Sequence, residues 1–142
     1  MAPRGPQDEA RLKSLKPAER EALSFECSFY EGLLAKRPEC PEALASLASA
    51  YTALGFYEDG LALDRRISAR SPDDPVARYN LACSQALTGN CEAALESLRK
   101  AQALGYEDRE HMARDEDLSA LHPDPRFWEL ARGKSRSPKE KR

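Results

Sequence analysis

The side chains able to do acid–base, nucleophilic or metal chemistry are few in this chain, and they are spread out. Two histidines, His111 and His122, flank an acidic run, Asp115, Glu116 and Asp117, while the cysteines stand at Cys27, Cys40, Cys83 and Cys91. A zinc site draws its cysteines or histidines in close pairs, and cysteine intervals of 13, 43 and 8 residues (27 to 40, 40 to 83, 83 to 91) offer none. A calcium loop needs a central glycine and a distant closing glutamate, which the acidic run lacks. There is no G-x-S-x-G elbow, no glycine-rich phosphate loop and no paired Cys–His signature. The expectation is therefore no catalytic residue, no metal and no cofactor. The cysteines are expected to be reduced packing residues, and the acidic run to cap a turn beginning at Leu118.

Charge narrows the partners. The net charge is −2, and the last ten residues, GKSRSPKEKR, carry five Lys or Arg against one Glu, so the remainder stands at −2 − 4 = −6. An acidic body does not attract phosphate backbones, and the basic tail has no aromatics to stack on bases, so no nucleic acid is expected. No run approaches 18 apolar residues, and the opening MAPRGPQDEARLKS has a charge every few positions. A soluble, cytoplasmic protein with no membrane partner is expected.

The elements that would hold these side chains repeat. Residues 41–74 laid over 75–108 without a gap share Pro41/Pro75, Ala43/Ala77, Leu47/Leu81, Ala48/Ala82, Gly55/Gly89, Glu58/Glu92, Leu61/Leu95, Arg65/Arg99, Ala69/Ala103 and Asp74/Asp108. Each shared type has a mechanical use. Pro41 and Pro75 open a helix where no amide donor is needed, and Asp74 caps the free amides beside Pro75. Gly55 and Gly89 end that helix by taking the left-handed conformation. A second apolar period follows each glycine, with Leu61, Leu63 and Ile67 in one unit and Ala94, Leu95, Leu98 and Ala101 in the other. Small Ala48 and Ala82 beside Leu47 and Leu81 let two helices approach, so each unit predicts an antiparallel helical hairpin.

A 34-residue period of this kind resembles the tetratricopeptide repeat, whose pattern is W-x2-L-G-x2-Y, then A-x3-F, then P. Leu44, Leu47, Ala48, Tyr51, Gly60, Asp64 and Pro72 stand at those positions in the first unit, and Arg78, Leu81, Ala82, Gln85, Ala94, Leu98 and Tyr106 in the second. Asp64 occupies an apolar position and Gly60 weakens its helix, while Arg78 and Gln85 replace aromatics. Looser packing of the second unit's first helix is expected.

Two hairpins need covered ends. Upstream, the helix opened by Pro17 carries Ala22, Phe25, Phe29 and Leu33 on one stripe, with Tyr30 and Leu34 alongside, wide enough to pack on the first hairpin. Downstream come short helical pieces near 109–114, around Leu118 to Leu121, and from Pro125, capped by Asp124 and stopped by Gly133. Met112, Leu118, Leu121, Phe127, Trp128 and Leu130 are apolar enough to make them a lid. With Asp124, Arg126 and Phe127 as a D-x-R-F motif, this end is similar to the segment that closes many bacterial tetratricopeptide arrays. The fold class expected is all-α, a short right-handed solenoid of antiparallel hairpins with an N-terminal helix and a C-terminal helical cap. Its parts are a flexible arm at 1–16, a helical domain at 17–131 (helix 17–37, repeats 41–74 and 75–108, cap 109–131) and a disordered basic tail at 132–142.

The resemblance implies a function class. In that family the first helices line a concave groove that takes a segment of another protein. The groove positions are Glu42, Ala45, Ser49 and Thr52, then Val76, Tyr79, Asn80 and Cys83. Asn80 can both donate to and accept from a peptide backbone, or bond within the stack, and Tyr79 offers flat area to a partner or packs internally. The family's clamp for chaperone tails needs Lys and Asn where Ala45 and Ser49 stand, so a chaperone tail is not the expected partner. The implied role is an adaptor or scaffold. The alternative is a structural piece that packs by its convex face or ends against a copy of itself or a larger subunit.

Overall fold

The computed structural model describes residues 4–133. Their regular structure is entirely helical: α1 (Glu9–Ser14), α2 (Pro17–Lys36), α3 (Pro41–Ala53), α4 (Tyr57–Arg70), α5 (Pro75–Leu87), α6 (Cys91–Ala103), α7 (Arg109–Arg114), a 3-10 turn (Glu116–Leu121) and α8 (Pro125–Arg132). The chain divides into two compact units, Met1–Pro72 and Asp73–Arg142. The division falls where the two halves of the repeat meet.

Each unit is built on one hairpin. α3 packs on α4, and α5 on α6. Residues 54–56 and 88–90 link these pairs. Three residues span about 10 Å, too little to carry the chain back along a 13-residue helix, so each pair is antiparallel. Asp74 caps α5 by accepting from the amides of Val76 (2.9 Å) and Ala77 (3.3 Å). Gly55 and Gly89 have φ of 86° and 83°. The residue after each reaches back, Phe56 N to Tyr51 O and Asn90 N to Gln85 O, both at 2.8 Å. Those bonds give the last turn of the helix the partners it would otherwise lack.

In the first unit α3 lies against both α2 and α4, and Leu44, Leu47, Tyr51 and Leu54 form a core with Cys27, Phe56 and Leu63. A β-carbon at Gly60 would stand 2.8 Å from Thr52 Oγ1, so α4 approaches α3 more closely than alanine permits. The helix-propensity cost at Gly60 is the cost of that approach. In the second unit, Gln85 does not loosen the packing. It is buried, and its Oε1 accepts a 2.6 Å hydrogen bond from the Ser97 hydroxyl, a satisfied polar pair between α5 and α6. Met112, Leu118, Leu121 and Phe127 are buried with α6 in one core, so the segment after Gly105 packs as a cap within this unit. Asp108, Asp115 and Asp124 cap its three pieces.

Two expectations are corrected. α2 does not bury the stripe of Ala22, Phe25, Phe29 and Leu33: Phe25 is 72% and Phe29 56% exposed, and Ala22 is exposed. The packed face holds Leu23, Cys27, Tyr30 and Leu34. A helix with apolar residues on two sides leaves the choice to its neighbours. The face chosen puts small Cys27 at the contact and brings Glu31 within reach of the Tyr51 hydroxyl, which donates to it at 2.5 Å.

The arm at 1–16 is also not free of the body, from Arg4 onward. Asp8 caps α1, and the arm meets the C-terminal end of α3, where carbonyls lack helical partners. Gln7 Nε2 donates to Leu54 O (2.9 Å), Arg11 Nε to Ala53 O (3.0 Å) and Asp8 N to Gly55 O (2.9 Å). Backbone capping needs no apolar side chain, so composition gave no sign of it. Of the tail expected at 132–142, Arg132 closes α8 with its guanidinium 4.7 Å from the Trp128 ring centre, and residues 134–142 lie outside the described residues.

The two turn glycines make a controlled comparison. A β-carbon at Gly55 would meet Asp8 O at 2.9 Å and Arg11 Cβ at 3.2 Å, whereas at Gly89 it meets nothing within 4 Å. Asparagine tolerates the left-handed region, so Gly89→Asn should cost about 1 kcal/mol in urea unfolding. Gly55→Asn should cost more and open the arm to limited proteolysis. Equal losses would mean that the arm does not rest on this turn.

Candidate functional site

The eight predicted groove positions separate by unit. On α3, Glu42, Ala45 and Ser49 are exposed and Thr52 is half-buried, its Oγ1 directed at Gly60. They recur at steps of three or four, so they lie along one side of the helix. On α5, Val76 (55% exposed) and Asn80 are open to solvent, but Tyr79 and Cys83 are buried. Those two are not available to a partner.

What covers them is the chain's own cap. The 3-10 turn packs on α5. Tyr79 stacks on Tyr106 with ring centres 4.3 Å apart and planes 4° from parallel, and its hydroxyl donates to Asp115 Oδ2 at 2.6 Å. The Cys83 thiol reaches the same oxygen at 3.7 Å, and His111 Nε2 stands 3.3 Å from it. Asp115 Oδ1 meanwhile accepts from Asp117 N, which starts the turn. One carboxylate therefore caps the turn and ties it to α5. The sequence placed Asp115 as a cap but did not connect it to Tyr79, 36 residues earlier.

The electrostatics of this cluster favour neutral thiol and phenol. Burial, then the charges of Asp115 and Asp117, push the Cys83 thiol well up, and the hydrogen bond with Tyr79 offsets this only in part. Burial likewise raises the Tyr79 phenol, with Cys83 and Asp115 adding to it. A protonated thiol is a poor nucleophile. Cys83, Asp115 and Asp117 bring ligand atoms within 4.8 Å of one another, and Asp115 there already accepts from the Tyr79 hydroxyl and the Asp117 amide. The second histidine packs between rings, 5.3 Å from Phe127 and 5.0 Å from Trp128, whose Nε1 donates to His122 O at 2.8 Å.

A second polar cluster holds the first unit. Arg4 lies 5.4 Å from the Phe56 ring centre and donates to both oxygens of Glu31, at 3.0 and 3.1 Å. Burial alone would raise the Glu31 carboxyl, but the bonds from Arg4 and Tyr51 outweigh it and hold the group below its ordinary value of 4.5. Sequence reasoning missed this cluster entirely, because its members are separated by 27 and 20 residues.

Neither protein-family models nor curated proteins give a match to this chain. No helix among the described residues is long and apolar enough to cross a membrane.

Three measurements check these clusters. Tyr79→Phe removes a hydrogen bond to a carboxylate and should destabilise the protein by about 1.5–3 kcal/mol. In the native protein an aromatic disulfide reagent at mildly alkaline pH should modify half-buried Cys40 and Cys91 first. Cys27, which burial raises to about 11, and Cys83 should react only on unfolding. The Glu31 cluster carries a pH signature. A carboxyl lowered in the folded state contributes stability that is complete above the unfolded value of 4.5 and disappears as pH falls through the folded one. The stability difference between wild type and Glu31→Gln should thus be constant near neutrality and shrink in acid. A difference that persists unchanged at low pH would remove the charge from the account.

Proposed function

We propose that the protein is a non-catalytic, cytoplasmic protein-binding module of the tetratricopeptide type, a short right-handed solenoid whose first helices receive a segment of another protein. The observation carrying this reading is the open side of α3. Glu42, Ala45 and Ser49 are exposed in a row, and two of the three are small enough to let a peptide backbone approach. At the matching positions of α5 the side chains of Tyr79 and Cys83 are engaged with Tyr106 and Asp115, leaving Val76 and Asn80. On α5, Asn80 stays exposed, and its amide can pair with a peptide group of any sequence. The identical construction of the two hairpins, proline at the start and a positive-φ glycine at the turn, supports the family reading.

A second reading, a subunit that packs against other chains by one of its ends, is favoured by the exposure of Phe25 and Phe29. Partner recovery tests the first. Ala45→Arg with Ser49→Arg, and separately Asn80→Ala, should lower the amount of partner recovered from native extract by about tenfold, a loss of ~1.4 kcal/mol, with melting unchanged. Undiminished recovery by both variants rejects the α3 face as the binding surface.

A further inference from the structure

Two large aromatic side chains on one face of α2 are largely exposed. Phe25 is 72% and Phe29 56% exposed, although the same helix buries Cys27 completely on its other side. At 100° per residue, Glu21, Ala22, Phe25, Phe29, Gly32 and Lys36 fall within an arc of about 100°. All six are exposed. Removing two largely exposed aromatic rings from water is favourable, which gives this face a reason to find a partner.

We infer that the face is a self-association surface on which a second copy of this chain lays its own α2, antiparallel, about a two-fold axis level with residue 27. Such an axis sets Phe25 against Phe29 of the other copy and Ala22 against Gly32, so the bulky pair of each helix meets at the centre with small residues on either side. Each contact then occurs twice, as in any isologous pair.

Gly32 supports this arrangement independently. Glycine inside a helix is destabilising relative to alanine, because it loses more backbone freedom on folding. Within this chain nothing requires it: a β-carbon there would meet no atom within 4 Å, unlike the one at Gly60. A second helix crossing at Gly32 supplies the missing reason, since its backbone can approach where no side chain intervenes.

Charge decides for a reversed copy of this same helix over a generic apolar partner. Within the exposed arc the charged residues are Glu21 toward the start of α2 and Lys36 at its end. Parallel packing would set like against like, whereas antiparallel packing sets acid against base at both ends. With the axis at residue 27, Glu21 lies opposite residue 33 of the other copy, and Lys36 is three residues further, about 4.5 Å along the helix and within reach of both side chains. One helix from each copy makes a small interface, so dimerisation in the micromolar range is expected, on the order of 1–100 μM.

The inference deepens the reading of the chain as an oligomer subunit and is independent of the α3 face: it is read from mass, and that face from partner recovery. Sedimentation equilibrium of the full chain from about 5 to 500 μM should show a monomer–dimer equilibrium. Phe25→Glu with Phe29→Glu should leave it monomeric throughout, with a melting temperature that matches wild type at concentrations where wild type is monomeric, because both rings are exposed within one chain. Glu21→Lys alone and Lys36→Glu alone should each weaken the dimer about three- to tenfold, and the double exchange should restore it, as two opposed charge pairs require. A parallel pair would be indifferent to the single changes. A wild-type chain that stays monomeric across the range overturns the inference, even if another protein then covers the face. So does a dimer that survives the double glutamate variant, or a charge exchange that fails to restore association.

Discussion

A 13-residue helix that must reverse within three residues leaves its last carbonyls without helical partners, and satisfying them governs how this chain folds. At Gly55 and Gly89 a positive φ turns the chain so that the following amide bonds back into the helix it has just left. Only this geometry lets the second helix begin at once and lie against the first. The same device recurs at Gly105, with φ of 114° and Tyr106 N bonded to Ala101 O at 2.9 Å, where the chain leaves the hairpin for the cap.

The two units meet the remaining demand differently. In the first, the segment before α2 supplies backbone and side-chain donors to Ala53, Leu54 and Gly55, and Arg4 joins it to α2 through Glu31. In the second, the segment after α6 supplies apolar bulk, and Asp115 joins it to α5. Both attachments turn on one carboxylate that accepts a tyrosine hydroxyl from the first helix of a hairpin, Glu31 from Tyr51 and Asp115 from Tyr79. A charged acceptor makes such a bond stronger than a neutral one.

These attachments decide which side chains stay exposed. The cap covers Tyr79 and Cys83 on α5, whereas Glu42, Ala45 and Ser49 on α3 stay exposed. By choosing Cys27 and its neighbours, α2 leaves Phe25 and Phe29 outward. Asp115 serves as both a tie and a cap, and Glu31 as a tie.

Sequence alone determined what depends on neighbours a few residues apart or on the 34-residue period. Pro17, Pro41, Pro75 and Pro125 start helices, Asp74, Asp115 and Asp124 cap them, and Gly55, Gly89 and Gly133 stop them, because capping and φ are local properties. The apolar residues of the cap were legible for a similar reason, since Met112, Leu118, Leu121 and Phe127 had no polar alternative to burial. Tertiary structure decided which of two apolar sides α2 buries, that the arm bonds to the end of α3, and that Tyr79 faces inward. Each of these was settled by a group 20 or more residues away, Tyr51 for Glu31, Ala53 for Arg11 and Asp115 for Tyr79. Helical periodicity fixes which residues share a face, but the free energy that selects a face comes from the partner it meets.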